Sequence, residues 1–472
     1  MDKETEVRHI LGKLFTLRLP ASLNELQLDR FPVANYIVFR DNLETSFEAS
    51  QRRLAEARLS LRAKGIEPLF MMDEEGGRVT QISRFFESAP SARAVSRTLK
   101  PEEAGRLYGH MAAYVADLGI DINLFPCVDV GTEPLNPVIG TRSYGSMPED
   151  VSMYTRAAIR SSRAHTACIV KHFPGHGMTR LDSHLDRPTV ELPRERLDYI
   201  HINPFREAVR SGADGIMVNH CLYLSLQNDD RPASLSKQVV GDILRKKLRY
   251  DGLVITDSLD MRAVTAKIDP HRVGMLALEA GNDILLYTEY SDRFERSFEA
   301  ILEAVFMDRM RSERLARSVK RREYLIDRLD FARSKRSAYQ EDEYLDLLAK
   351  VRAKSVTVRD AGGVLPLSYD RAVIVSTSET VTEKIRKHIP SLAEGEAVTD
   401  ATGSTLILWF MEPFHPRVPF EVVRGLIESA RRTVLITTYE HLAEILPTCD
   451  VTIISDDTSP HSEETILRTL FG

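Results

Sequence analysis

The sequence predicts an α/β protein: a (β/α)8 TIM-type barrel followed by a smaller αβα sandwich-like domain. Three observations carry that prediction. Short uninterrupted apolar runs alternate with longer amphipathic stretches over the first two-thirds of the chain. Titratable residues follow those runs repeatedly. After a highly charged segment at 307–335 the alternation starts again. Continuous apolar strands followed by helices signal a parallel sheet covered by helices. The 472 residues exceed one ordinary core, although an α/β barrel absorbs about 250 as a single unit.

The apolar runs are NYIVF (35–39), PLFMM (68–72), INLFP (122–126), ACIV (167–170), GIMVN (215–219), GLVIT (252–256) and DILLY (283–287). Helical patterns fill 45–64, 102–118, 148–165, 194–212 and 236–248. Seven strands are visible, and a closed barrel requires an eighth. The segment 307–335 reads as a helix packed on the barrel's outside with a solvated, charged face. These boundaries give a barrel domain over 1–335, a linker over 336–341 and a C-terminal domain over 342–472. That last domain is expected to hold a helix at 342–354 and strands at 372–376, 405–410, 433–438 and 451–455. It has no GxGxxG or GxxxxGK loop, so no nucleotide site is expected there.

Hydrophobic residues make up 43% and charged residues 28%, the balance of a folded chain, and the net charge is −6. That charge offers no general attraction to nucleic acid or anionic lipid. No apolar run is long enough to span a bilayer. The N-terminus is acidic where a secretory leader is basic. Cys127, Cys168, Cys221 and Cys449 are scattered, without a CxxC pair, and read as buried reduced thiols. The expectation is a cytoplasmic protein acting on a small molecule, without cofactor, nucleic-acid or membrane partner.

In a barrel, chemistry gathers where strands end and βα loops begin. Asp73-Glu74-Glu75-Gly76-Gly77-Arg78 follows the second run, Lys171-His172 the fourth, Asn219-His220 the fifth and Asp257 the sixth. The densest segment is Lys171 to Pro188. His172 and His176 have the i, i+4 spacing of a metal pair, but Pro174, Gly175 and Gly177 oppose the helix such a pair needs. On a loop, Asp182 instead stands two residues from His184. A carboxylate there fixes the imidazole's tautomer and raises its pKa, as an acid/base requires. From these residues alone, catalysis, metal binding and structural hydrogen bonding all remain open. Blander readings hold elsewhere. His176 reads as a structural loop histidine, Asp186 as turn chemistry and Asp260 as a helix-start carboxylate. His220 is either pocket lining or a satisfied core residue, and Asp257 taken alone fits an ordinary N-cap.

Taken together, these segments resemble glycoside hydrolase family 3, in its β-N-acetylglucosaminidase branch. KHFPGHG at Lys171 to Gly177, followed by Asp182-Ser183-His184, matches that branch's signature. DEEGGRV (Asp73 to Val79), NPVIGTRSYG (Asn136 to Gly145) and ITDSLDM (Ile255 to Met261) resemble three further segments, in family order. The resemblance covers about residues 10–330 and implies a retaining glycosidase without metal. It implies Asp257 as nucleophile, His184 as acid/base held by Asp182, and Asp73, Arg142, Lys171 and His172 as sugar-binding residues. The chain departs from the pattern at Gln81, where many relatives have arginine, and at Glu74, where glutamine or histidine is commoner. Arg78 and Arg84 are nearby basic residues.

Overall fold

The computed structural model describes residues 2–180, 187–266, 268–334, 339–361, 363–367, 372–376, 378–389, 392–394, 401–412 and 420–472. Among them, the barrel strands are β1 (Phe15–Arg18), β2 (Asn35–Ile37), β3 (Leu69–Met72), β4 (Ile122–Asn123), β5 (Ala167–Phe173), β6 (Gly215–Val218), β7 (Leu253–Thr256) and β8 (Leu285–Leu286). All pair in parallel, in the order β8-β1-β2-β3-β4-β5-β6-β7. A parallel bridge between Ile255 and Ile284, with the Thr256 amide donating to the Ile284 carbonyl at 3.1 Å, joins β7 to β8 and closes the ring. Alternate residues serve two cores, as the two-residue period of a strand requires. Ile37, Met71, Ile169, Met217 and Ile255 fill the barrel. Tyr36, Phe70, Val170, Ile216 and Val254 face the surrounding helices.

The strand without a visible run in the sequence is β1. Its four residues, FTLR, place Thr16 and Arg18 among only two apolar side chains, so no continuous run forms. Thr16 is nevertheless buried, because Phe15 and Leu17 face the outer helices and Thr16 therefore points into the closed barrel.

The charged segment departs from expectation. The helix Ser312–Arg333 does not merely coat the outside; it sends Leu325 and Leu329 into the barrel interior. Arg322 is fully buried, donating to Asn35 Oδ1 (2.8 Å) and to the carbonyls of Ala34 (3.0 Å) and Glu67 (2.6 Å). Burial pushes its pKa down to about 10. Arg314, Arg321 and Arg328, seven residues apart and so on one face, reach aspartates that stand just before strands. Arg321 pairs with Asp283 at 3.1 Å, and Arg328 with Asp214 at 3.0 Å. Asp121 takes Arg58 at 2.9 Å, and also Arg333. Each aspartate also accepts an amide of the preceding strand: Phe70 to Asp121 (2.7 Å), Cys168 to Asp214 (3.0 Å) and Val254 to Asp283 (3.0 Å).

The second sheet comprises β9 (Val356–Asp360), β10 (Ala372–Ser376), β11 (Ala393–Glu394), β12 (Thr405–Phe410), β13 (Arg432–Thr437) and β14 (Val451–Ser455), ordered β9-β14-β13-β12-β10-β11. Only the β9–β14 pair is antiparallel. Ile374, Ile407 and Ile436 pack with Ile385 and Ile466 on one face. Val375, Leu408 and Leu435 pack with Leu426 and Leu442 on the other. The result is a three-layer αβα unit. The helix Glu341–Arg352 turns Tyr344, Leu347, Leu348 and Val351 into the barrel's outer core. The carboxyl ends of β12 to β14 dock on barrel loops. There Arg97 pairs with Glu440 (2.8 Å) and Asp456 (2.6 Å), and the Ser91 amide donates to Asp457 (2.8 Å).

Asp283 is wholly buried among Arg245, Arg314 and Arg321, so removing it leaves three cations facing one void. Asp283→Ala is expected to lower the unfolding free energy by about 3–5 kcal/mol in urea titration. Arg296→Ala, which removes one exposed i, i+4 pair with Asp292, is expected to change it by less than about 0.5 kcal/mol.

Candidate active site

A cavity of about 610 Å³ opens at the carboxyl ends of the barrel strands. Asp73 follows β3, Lys171 and His172 lie in β5, and Asp257 follows β7 directly. Arg142 ends the single turn Gly140–Arg142 in the long loop after β4. All five line the cavity. Asp182 and His184 lie outside the described residues, as does Asp186.

Neighbouring side chains of a regular strand point to opposite faces. In β5 the pairing with β6 slips between Val170 and Phe173. Lys171 and His172, though consecutive, therefore both reach the cavity.

Glu75 joins the charges. Arg142 grips it in a fork, Nη2 to Oε1 at 2.7 Å and Nε to Oε2 at 2.9 Å. Lys171 Nζ lies 2.6 Å from the same Oε1 and also bonds Asp73. Burial alone raises a carboxyl's pKa, but here Arg142 and Lys171 more than reverse it and hold Glu75 well below the usual range. Burial likewise works against the Lys171 ammonium, and Asp73 and Glu75 overcome it, raising its pKa. Both ions are therefore charged at neutral pH, stabilised by each other and by Arg142 and Asp73.

His172 is fixed from both sides. A guanidinium can only donate, so Nε2 accepts from Arg142 Nη2 at 3.3 Å. That assigns the ring proton to Nδ1, which donates to Asp129 Oδ2 at 2.6 Å. Asp129 also accepts the His172 amide (3.1 Å) and the His176 amide (2.5 Å). His176 lines the cavity with Nδ1 on the Thr179 hydroxyl at 2.8 Å. Burial first, then the neighbouring His172, lowers its pKa to about 4, so it is neutral near pH 7.

Asp257 is held through its backbone. Its amide donates to the Val218 carbonyl at 2.9 Å, and its Oδ1 accepts the Ser258 amide at 2.8 Å. His220 is a satisfied core residue rather than pocket lining. It is buried between the Ser234 hydroxyl (2.7 Å) and the Ser258 carbonyl (2.8 Å), and so braces the peptide beside Asp257. Asp260 stands at a helix start, directly before Met261, the N-cap of the helix Arg262–Thr265; its carboxylate accepts the Thr288 amide at 2.8 Å and ties this segment to the end of β8.

Among the described residues, ligating atoms of Cys127, Asp129 and His172 lie within 4.8 Å of one another. The 2.6 Å separation of His172 Nδ1 and Asp129 Oδ2 is that of a hydrogen bond, with no room for an ion between them. Burial pushes the Cys127 thiol well up, so it stays protonated.

Residues 14–323 match the model of the glycosyl hydrolase family 3 N-terminal domain. The chain belongs to glycosyl hydrolase family 3. Its similarity to beta-hexosaminidase A of Pseudoalteromonas piscicida is 29% identity over 384 residues, 75% of this chain and 64% of that protein. The chain thus spans less than two-thirds of that relative's length. A beta-hexosaminidase of Idiomarina loihiensis is 32% identical over 261 residues, 54% of this chain and 76% of that protein. The solved family 3 beta-N-acetylglucosaminidase of Paenibacillus sp. superposes with a TM-score of 0.82 at 26% identity, covering 99% of this chain and 96% of that one.

Two residues of this charged cluster escape the sequence reading. Glu75 is hidden in an acidic triplet in which Asp73 draws the attention. Asp129 lies three residues beyond the run that ends at Pro126; the rule that titratable groups follow strands, applied a little further, finds it. Gln81 donates to the Asp73 carbonyl at 3.4 Å and accepts the Arg40 amide at 3.0 Å, so it fastens the loop rather than offering a cation. Arg84 donates to the carbonyls of Leu43 and Glu44, both at 3.1 Å. Glu74 Oε2 accepts the Gln81 amide (2.8 Å) and the Thr80 hydroxyl (3.1 Å).

Complete burial raises the Glu74 pKa from 4.5 to about 7. Between those values the folded chain keeps a proton that the unfolded chain has released. Stability therefore falls as pH rises through that window, on the order of 3 kcal/mol in total. Glu74→Gln removes the titration and keeps an acceptor oxygen. The stability of this variant relative to the parent should climb from pH 4.5 to 7 and level off above. A difference that is constant over pH 4–8 in denaturant titrations would refute this account.

Proposed function

We propose that this chain is a retaining exo-β-N-acetylglucosaminidase releasing terminal β-linked GlcNAc from muropeptide or chitooligosaccharide-type substrates. The observation that carries this reading is the meeting of Asp257 with Asp73, Arg142, Lys171 and His172 around one cavity at the carboxyl mouth of a family 3 barrel. The names of its relatives support the sugar assignment.

In the first step an Asp257 oxygen attacks the anomeric carbon while His184 donates its proton to the glycosidic oxygen, and the bond to the aglycone breaks. His184, now neutral, takes a proton from water. That water attacks the same carbon and releases Asp257 with overall retention. Asp182 steadies the imidazolium. The cations Arg142 and Lys171 and the Asp73 carboxylate bind sugar hydroxyls through charge-assisted hydrogen bonds. Their mutual pairing sets their positions before sugar arrives, which limits the ordering cost on binding. His172, oriented between Arg142 and Asp129, completes that wall. The four cysteines are buried and free, which fits a reducing, cytoplasmic setting. Among the described residues no helix is long and apolar enough to cross a membrane.

The test is turnover of nitrophenyl GlcNAc beside nitrophenyl glucoside, each with and without phosphate. Preference for the GlcNAc substrate with water as acceptor is expected. Faster glucoside cleavage, or a strict phosphate requirement, sinks the assignment. His184→Ala should slow turnover on the order of 10²–10⁴-fold. A slow fluorinated GlcNAc analogue should leave a sugar mass on the peptide containing Asp257, and Asp257→Ala should carry none.

A further inference from the structure

The C-terminal domain reaches the edge of this cavity through one side chain. Glu412, two residues beyond β12, has its carboxylate wholly buried in the barrel's long β4 loop. It accepts the Thr141 amide with both oxygens, at 2.8 and 3.0 Å, and the Thr141 hydroxyl at 2.5 Å. It lies 3.5 Å from Arg78 Nε. Arg78 lines the cavity and donates to the carbonyls of Pro137 (3.1 Å) and Val138. Arg142, the next residue after Thr141, also donates to Val138, at 3.0 Å.

A second observation comes from the other partner. Gly140 has φ +41, and a Cβ built on it falls 2.0 Å from Glu412 Oε1. The turn that ends in Arg142 therefore has the only residue type that lets this carboxylate approach. Chain and conformation are adjusted to one another across the domain boundary.

We infer that Glu412 is a positioning residue for the sugar site, supplied by the C-terminal domain: it clamps the Gly140–Arg142 turn and so sets where the Arg142 guanidinium meets Glu75 and the sugar. This rests on the reading of Arg142 as a sugar-binding residue. Misplacement of a binding group by about 1 Å costs on the order of 10²-fold in efficiency. Arg142 grips the sugar in ground and transition states alike, so the loss should fall on KM.

The experiment compares the full chain with Glu412→Ala, Glu412→Asp, Glu412→Gln and Arg97→Ala. Arg97→Ala breaks the ion pairs with Glu440 and Asp456 elsewhere on the same interface and serves as the docking control. Kinetics with nitrophenyl GlcNAc are read well below each protein's unfolding temperature. Amide hydrogen exchange of the peptide spanning 138–143, without substrate, reads the clamp directly.

Glu412→Ala should raise KM about 10–100-fold with kcat within about threefold, and should lose protection at Thr141. Glu412→Asp, one methylene short, should show the same signature while keeping the charge toward Arg78. Glu412→Gln, whose amide oxygen still accepts from Thr141, should recover most of both readouts. Arg97→Ala should leave both unchanged. Unchanged KM and protection in Glu412→Ala and Glu412→Asp overturn the inference, as does an equal rise in KM in Arg97→Ala. Absence of turnover by the unaltered chain bears on the proposed activity instead, and the exchange measurement still decides the clamp.

Discussion

The site depends on one buried carboxylate. Glu75 is out of reach of bulk water, yet Arg142 in a two-pronged grip and Lys171 beside it keep it ionised. A lone charge in that environment is costly, and removing either cation leaves Glu75 with only one of its two partners. The three groups therefore hold one another in place. The arrangement has consequences beyond itself. Through Lys171 it sets Asp73, and through Arg142 it sets the tautomer of His172. A pocket built this way presents its polar groups already aimed, the condition under which electrostatic stabilisation is effective.

The same chemistry closes the barrel's other end, with the opposite outcome. Asp121, Asp214 and Asp283 each combine buried arginine pairs with an amide of the neighbouring strand. Their acceptor capacity is spent on backbone and guanidinium, and Leu325 and Leu329 fill the space between. At the carboxyl end, Arg142, Lys171 and Asp73 keep a face toward a cavity. Paired charges alone do not make a site; what distinguishes the two ends is whether the pairs leave hydrogen-bonding capacity pointing at open space.

Much of this was legible in the sequence, and the failures have identifiable causes. Seven strands announced themselves because a strand buried on both faces reads as a continuous apolar run. FTLR at 15–18 did not, since Thr16 points into a closed barrel the sequence does not show. The helix at 312–333 looked solvated because arginine dominates it, but Arg321 and Arg333 reach aspartates 38 and 212 residues away in the chain. Asp73, Arg142, Lys171, His172 and Asp257, singled out by positions at strand ends and by resemblance, line one cavity. Glu75 could not be ranked within its acidic triplet until its partners were placed. Glu412 carries no local signal, because its meaning depends on a turn 271 residues earlier.

The two domains divide the work in a way the fold explains. In an open parallel sheet the carboxyl ends of the strands form the usual ligand crevice. Here the ends of β12, β13 and β14 are occupied instead, by Arg93, Arg97 and Ser91 of the barrel and by the loop that Glu412 enters. The second domain has turned this edge of its sheet toward the first. The barrel's long β4 loop, which must carry Arg142 across open space to Glu75, has little regular structure of its own among the described residues: one three-residue turn. A loop of that kind moves unless something outside it supplies hydrogen bonds. A rigid sheet edge pressed against it supplies them, and the stiffness that β12 draws from its two neighbouring strands passes through Glu412 to the turn beside the cavity.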